Sequence, residues 1–131
     1  YSLWVENDTI VDDMASWGFN ALRLGAMWSG VEPQEGQWNQ TYVDKIKQQV
    51  RRLRARGIWV LLDMHQDCMS SKFGLYDGLP LWVVDRAEPA PHAWPYPWKG
   101  TPPGWMDNCL TEEEDYAWDS FYRNHQGMRD T

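Results

Sequence analysis

The chain has 131 residues, a formal net charge of -7 and 43% hydrophobic residues, a composition typical of one globular domain. The negative charge argues against binding to nucleic acid, or to an anionic membrane through basic clusters, because both would repel it. No apolar segment approaches the roughly 20 residues that a membrane-spanning helix needs, and we expect no signal peptide in Tyr1–Glu6. Ten tryptophans make flat aromatic surfaces unusually abundant.

The first part of the chain predicts a helix followed by a strand. Asp8 and Thr9 can cap a short helix, which is expected to end at Gly18 because glycine readily adopts the left-handed conformation after a helix. Residues 19–24 are then expected to form a strand. Period-two alternation along this strand places Phe19 and Arg23 on one face.

A second helix and a second strand follow. The helix is expected to begin at residues 39–41 and to end at Gly57, since its apolar side chains recur every three or four residues: Val43, Ile46, Val50 and Leu53. Residues 58–62 are continuously apolar, which is typical of a strand that helices cover on both faces of a parallel sheet. Because the segment between the strands is too long for a hairpin, we expect the two strands to be parallel.

Residues 70–110 are predicted to form a long loop, and six of the eight prolines lie within residues 89–103. Its aromatic content favours a functional excursion over a disordered link. The last helix is expected to open with a capping box at Thr111–Glu114. Two parallel strands cannot bury their own faces, so we expect the chain to be part of a larger α/β domain.

Polar residues gather where the two predicted strands end. Asp63, His65 and Asp67 project to one side, and Arg23 lies near the end of the preceding strand. Carboxyl ends of parallel strands are where sites are built, although such residues can also serve only an ion pair or the backbone. A metal site at His65 and Asp67 would need a further ligand, and we expect neither a metal nor another cofactor.

The tryptophans have two interpretations. They can pack the long loop against the domain, or they can stack against sugar rings, whose C–H faces match an indole plane. Trp28 and Trp82 are the two that we expect nearest to a cleft.

Several segments resemble glycoside hydrolase family 5. Residues 18–25 and 27–33 are similar to the second strand region of that family, and residues 57–67 to its third strand. The endoglycoceramidase branch is the most similar, since Met64–Asp67 is followed by Lys72-Phe73 and by Gly78–Trp82. The resemblance covers roughly residues 10–130, except 88–105. It implies an α/β fold, a partial (β/α)8 TIM barrel in which the chain contributes two parallel strands, three helices and the long loop.

The same resemblance implies a retaining β-glycosidase that hydrolyses the bond between oligosaccharide and ceramide with two glutamates about 5–5.5 Å apart. Both catalytic glutamates are expected beyond Thr131. Glu32 does not replace either of them, because it belongs to the loop after the second strand of the family. We therefore expect residues 1–131 alone to be an inactive, incomplete part of one catalytic domain. The residues that carry over are supporting ones. Arg23 and Asp63 would support the nucleophile, and four others would bind the sugar: His65, Asp67, Trp28 and Trp82.

Alternatives and partners remain open at this level. A family 5 β-glucanase, a glucosylceramidase-like hydrolase and a non-catalytic carbohydrate-binding module would also fit. The expected partners are a glycolipid or β-glycoside substrate and the rest of the barrel, with the loop at 70–110 forming a wall on the active-site side for a lipid tail or the membrane interface. Cys68 and Cys109 are predicted to pair as a disulfide that tethers this loop. Two cysteines do not decide the redox compartment, but two Asn-x-Thr sequons weakly favour a secreted or lysosomal protein.

Overall fold

Two parallel strands with helices packed beside them form the centre of the structure, a computed structural model that describes residues 6–74 and 77–130. The strands are β1 (Ala21–Gly25) and β2 (Trp59–Asp63). The helices are α1 (Asp8–Ser16), α2 (Trp28–Val31), α3 (Gln40–Arg54), α4 (Leu81–Val84) and α5 (Glu112–Tyr122). Single 3-10 turns occur at Ser71–Phe73, Trp105–Cys109 and His125–Gly127. The first five residues, where we expect no signal peptide, lie outside the described residues.

The three predicted helices are confirmed as α1, α3 and α5, and α2 and α4 are additional four-residue helices. Asparagine side chains cap the first two long helices. Asn7 accepts a hydrogen bond from the Thr9 backbone N–H at 2.9 Å, and Asn39 accepts one from that of Tyr42 at 3.1 Å. The prediction of Asp8 and Thr9 as the cap of α1 was therefore wrong by one residue, because Oδ1 of the Asn7 side chain already accepts from the free backbone N–H of Thr9.

The predicted parallel pairing of the strands is confirmed. Ala21 lies opposite Trp59, and Gly25 lies opposite Asp63. The strands begin and end within two residues of the predicted bounds, because pairing, not hydrophobicity, sets their ends. On the helix side of the sheet, a small core forms from Val11, Leu53 and Ile58, with Leu22 and Val60 packed against it.

The prediction that β2 is buried on both faces is wrong for the described residues. Trp59 is 65% exposed and Leu61 is 68% exposed. Within residues 6–74 and 77–130, β2 pairs only with β1, so its remaining edge and one face have no cover. The guanidinium of Arg54 lies 3.8 Å from the centre of the Trp59 ring and shields part of it.

Part of the segment predicted as a loop, residues 70–110, packs into a second core. Its buried members come from the loop behind β2, from the segment that ends with α4 and from the C-terminal part of the chain: Cys68, Met69, Phe73, Leu79, Val83, Val84, Ala117 and Met128. Trp94 and Trp118 pack against this core. The segment is thus held by side-chain burial and not by regular secondary structure.

The capping box predicted at the start of α5 does not form. The Thr111 hydroxyl donates to the Asn108 carbonyl oxygen at 3.1 Å and makes no cap hydrogen bond. Glu114 accepts instead from the Met69 backbone N–H at 2.6 Å, because its carboxyl is fully buried beside that segment. The helix is in the expected place, but the glutamate serves a long-range contact. Among the described helices, none combines the length and the apolar character that crossing a bilayer requires.

Candidate functional site

Asp63 is the centre of a polar cluster at the carboxyl ends of the two strands. Its Oδ2 atom lies 3.5 Å from Nε of Arg23 and 3.0 Å from Nδ1 of His65. The other ring nitrogen of His65, Nε2, lies 3.4 Å from Oδ1 of Asp67. The structure therefore brings together the four residues that the strand ends predict, Arg23 from β1 and the other three from β2 and the loop behind it.

Backbone pairing fixes this arrangement. The register places Gly25 opposite Asp63, and the Ala26 backbone N–H donates to the Asp63 carbonyl oxygen at 2.7 Å. Because side chains alternate along a strand, Asp63 and His65 project to the same side, and Arg23 projects towards them from β1. Asp63 and His65 keep 26% and 29% of their side chains exposed, so the cluster is accessible to a ligand.

The cluster offers both donors and acceptors. His65 lies between two carboxylates; a neutral imidazole can donate to one of them and an imidazolium to both. Asp67 is 33% exposed and has oxygen lone pairs that His65 does not use. A ligand with several hydroxyl groups, each of which donates and accepts, fits such a surface.

Asp77 belongs to the same cluster, and sequence reasoning missed it. It is 2% exposed, and one oxygen of its carboxyl, one of Asp67 and a ring nitrogen of His65 all lie within 4.8 Å of one another. An Asp-Gly pair is a common turn, so Asp77-Gly78 carries no sign of a functional acid. These three residues are also the types that a metal ion can use, although the sequence alone predicts no metal here.

Trp28 and Trp82 lie together, with ring centres 5.9 Å apart in an edge-to-face arrangement. Trp28 Nε1 donates to the Glu32 carboxylate at 3.0 Å, and Trp82 Nε1 donates to the Glu32 carbonyl oxygen at 3.1 Å. Both rings are partly buried against the second core. The geometry shows a packing role for the pair, and sugar binding by these rings stays a prediction.

Trp28 also lines a cavity of about 400 Å³. Its other lining residues are Glu32, Trp38, Met64, Phe121 and Arg129. Asp63, His65 and Asp67 are not among its lining residues, so the cavity is separate from the polar cluster.

The two cysteines are joined in the structure, with Cα atoms 5.1 Å apart. Sγ of Cys109 lies 3.4 Å from the Asp67 carbonyl oxygen, and Sγ of Cys68 lies 3.9 Å from that of Trp105. The disulfide therefore holds the far end of the 70–110 segment directly beside the polar cluster.

The three tryptophans of residues 89–110 differ in their surroundings. Trp94 packs against the second core, and Trp98 Nε1 donates to the Asp107 carbonyl oxygen at 3.0 Å. Trp105 is 55% exposed and has two exposed apolar neighbours, Met106 and Leu110. We call Trp105, Met106 and Leu110 the apolar patch.

Comparison with known proteins gives consistent results. The model of the cellulase family, glycosyl hydrolase family 5, matches residues 1–119. An endoglycoceramidase of Cyanea nozakii is 36% identical over 127 residues, which cover 86% of this chain and 25% of that protein. An endoglycoceramidase of Hydra vulgaris is 33% identical, with 94% of this chain and 27% of that protein covered. The chain spans about a quarter of the length of these curated relatives.

A solved structure agrees with them. The endo-glycoceramidase II of Rhodococcus sp., in its complex with ganglioside GM3, matches with a TM-score of 0.68 and 26% identity, over 92% of this chain and 28% of that one. The expected partial (β/α)8 barrel is thereby confirmed, and the family match favours a glycosidase over a separate carbohydrate-binding module. The chain belongs to glycosyl hydrolase family 5 and resembles the endoglycoceramidases within it.

Proposed function

We propose that the chain forms one side of the sugar pocket in a retaining β-glycosidase that cleaves the bond between the oligosaccharide and the ceramide of glycolipids. The observation that carries the proposal is the polar cluster, in which Arg23, Asp63, His65 and Asp67 meet at the carboxyl ends of adjacent parallel strands. The family membership and the endoglycoceramidase relatives support the reaction type.

Each residue has a role that its contacts support. Arg23 places a cation at the pocket, where it can stabilise a nucleophilic carboxylate in its charged form. Asp63 orients His65 through the 3.0 Å contact to Nδ1. His65 and Asp67 hydrogen-bond the hydroxyl groups of the sugar next to the cleaved bond, where stronger contacts in the transition state accelerate the reaction. The two catalytic glutamates are expected outside residues 1–131, so this chain alone should not hydrolyse glycosides.

The apolar patch supports a lipid-facing role for this side of the site. Trp105 lies next to the disulfide that borders the polar cluster. Its backbone carbonyl oxygen is 3.9 Å from Cys68 Sγ. Trp105, Met106 and Leu110 are each more than half exposed. An exposed apolar surface beside a sugar pocket suits the ceramide part of a glycolipid or the membrane interface that presents it.

The test uses the full-length enzyme and three substrates: a ganglioside, glucosylceramide and a soluble β-glucan. We expect oligosaccharide release from the ganglioside, and a fall in kcat/KM of about 100-fold or more in His65→Ala. His92→Ala is the matched control, since His92 also pairs with a carboxylate, Glu112 at 2.8 Å, but lies outside the cluster. Preference for the β-glucan would contradict the glycolipid assignment, and preference for glucosylceramide would contradict a specificity for the oligosaccharide–ceramide bond.

A second arm of the test concerns the apolar patch. Trp105→Ala with Leu110→Ala should raise KM for the ganglioside in vesicles while leaving hydrolysis of a soluble aryl glycoside unchanged. Trp98→Ala is not a suitable control because its indole is hydrogen-bonded. Trp17→Ala serves instead, because Trp17 is 71% exposed and lies at the end of α1. Equal effects on both substrates would contradict the lipid contact. We also propose a secreted or lysosomal location, which the disulfide supports.

A further inference from the structure

Asp77 poses an electrostatic problem that the described residues do not solve. Asp77 is only 2% exposed, and neither of its carboxyl oxygens has a hydrogen-bond partner within residues 6–74 and 77–130. A carboxylate in that position would be buried without a donor, beside the carboxylate of Asp67. Such burial costs several kcal/mol for an unpaired charge.

The backbone holds Asp77 in this position. The next residue, Gly78, has a φ of +90°, and a Cβ atom there would lie 2.4 Å from the Met69 carbonyl oxygen. Leu79 N–H donates to that same oxygen at 2.7 Å, and Ser29 N–H donates to the Gly78 carbonyl oxygen at 3.1 Å. Because glycine permits this close approach, the 77–79 segment lies against the loop behind β2 and cannot move Asp77 away from Asp67.

We propose that Asp77 is a positioning residue: it is a neutral carboxylic acid whose O–H donates to the Asp67 carboxylate and holds it in the orientation that faces His65 and the sugar. A single proton on Asp77 then satisfies both carboxyl groups, because the protonated Asp77 donates the hydrogen bond that the Asp67 carboxylate accepts. The proposal rests on the sugar-binding role proposed above for Asp67.

The electrostatic surroundings agree with this assignment. Burial, and then the negative charge of Asp67, raise the pKa of Asp77 above its usual value. The titratable groups that face Asp77 are Asp67 and His65, both from the loop behind β2. The neighbouring helices α2 and α4 contain no titratable side chain, and Lys72 in the adjacent 3-10 turn is paired with Glu113 at 2.9 Å.

The test compares two variants in the full-length enzyme. Asp77→Ala removes the donor, and we expect kcat/KM to fall between about 10- and 100-fold, mainly through KM if Asp67 binds the ground state. Asp77→Asn keeps a donor in the same place and should recover at least about tenfold of that loss. Asp77→Asn should also lack an alkaline fall in activity that the wild type shows when the shared proton is lost. Asp85→Ala, an exposed aspartate just after α4, controls for loss of an acid in this region.

A structural readout separates this proposal from the proposed function. A neutron structure of the full-length enzyme should show one deuterium between the carboxyl groups of Asp77 and Asp67, whatever substrate the enzyme prefers. Absence of that deuterium, or equal kinetics of Asp77→Ala and Asp77→Asn, would overturn the proposal. Loss of activity on dialysis against a chelator, restored by Mn²⁺ or Ca²⁺ alone, would overturn it too and would assign the three residues to a cation. Failure of the wild type on every glycoside would overturn the proposed function only.

Discussion

Glu114 and Met69 join the last helix to the loop behind β2: the Met69 backbone N–H donates to Oε1 of Glu114 at 2.6 Å. The glutamate is fully buried, and its other oxygen has no partner among the described residues. Burial raises the pKa of Glu114 to about 6, against the lowering effect of the hydrogen bonds from Met69 and Trp118. A buried acid thus ties α5 to the segment that carries the polar cluster.

This arrangement predicts a pH-dependent stability. Folded Glu114 holds its proton up to about pH 6, whereas the unfolded group loses it near pH 4.5, so the folded state binds more protons between these values. The contribution of Glu114 to stability is therefore fully present below pH 4.5 and falls by about 2 kcal/mol as the pH rises through 6. The free energy of unfolding of the full-length enzyme, measured against pH, should show this fall in the wild type and not in Glu114→Gln.

The control for Glu114→Gln is Asp119→Asn, an exposed position on the same helix. Its curve should run parallel to that of the wild type. Identical pH dependence in Glu114→Gln and the wild type would show that Glu114 ionises alike in both states.

A second prediction concerns Asp63. Asp63→Ala removes the acceptor from His65 and the negative charge beside Arg23. We expect kcat/KM of the full-length enzyme to fall by about 100-fold, because His65 loses its orientation towards the sugar. Asp63→Asn keeps the shape and one oxygen acceptor, and should lose less. Steady-state kinetics with a crystal structure of each variant checks this, and an unmoved His65 with normal activity would contradict it.

The disulfide gives a third prediction. Cys68 and Cys109 are 41 residues apart in the sequence, and closing a loop of this length restricts the unfolded chain by about 4 kcal/mol in the entropy model. Mass spectrometry of non-reduced, secreted protein should find no free thiol on either residue. Cys68→Ala with Cys109→Ala should lower the stability and raise proteolysis between residues 88 and 105. Two free thiols in secreted protein would dismiss the bond.

Gly78→Ala is the fourth prediction. The new Cβ atom would meet the Met69 carbonyl oxygen at 2.4 Å and would hold a φ of +90°. We expect a loss of about 3 kcal/mol or more, from strain in the backbone and displacement of the 77–79 segment. Gly100→Ala is matched, because Gly100 has a φ of +105° but open space around it. Thermal unfolding of both variants should show a much smaller loss at Gly100; equal losses would mean that conformation alone sets the cost.

The sequence predicts the regular part of the fold well because local rules determine it. The spacing of Val43, Ile46, Val50 and Leu53 identifies α3, and the apolar run at 58–62 identifies β2. Parallel pairing then follows from the length of the connection. The polar cluster follows too, since Asp63 and His65 must share a face once β2 is a strand.

Contacts between distant segments are where sequence reasoning fails. Glu114 stands at the right position for a capping box, yet a backbone N–H 45 residues away takes its carboxyl. Asp77 is ten positions from Asp67, and only the close approach at Gly78 brings them together. Trp94 and Trp105 belong to the same Pro-rich segment, but one packs inward and the other stays exposed. In each case burial in the folded chain determines the contacts of the side chain, and the local sequence pattern carries no information about that burial.

The open side of β2 has a consequence for where the remaining machinery must stand. A third strand that pairs with the free edge of β2 in the same direction would present its carboxyl end at the same edge of the sheet as Asp63. Whatever side chain follows that strand would emerge next to His65, on the flank opposite Arg23. The direction of β2 therefore determines at which edge of the sheet an additional reacting group would join the polar cluster.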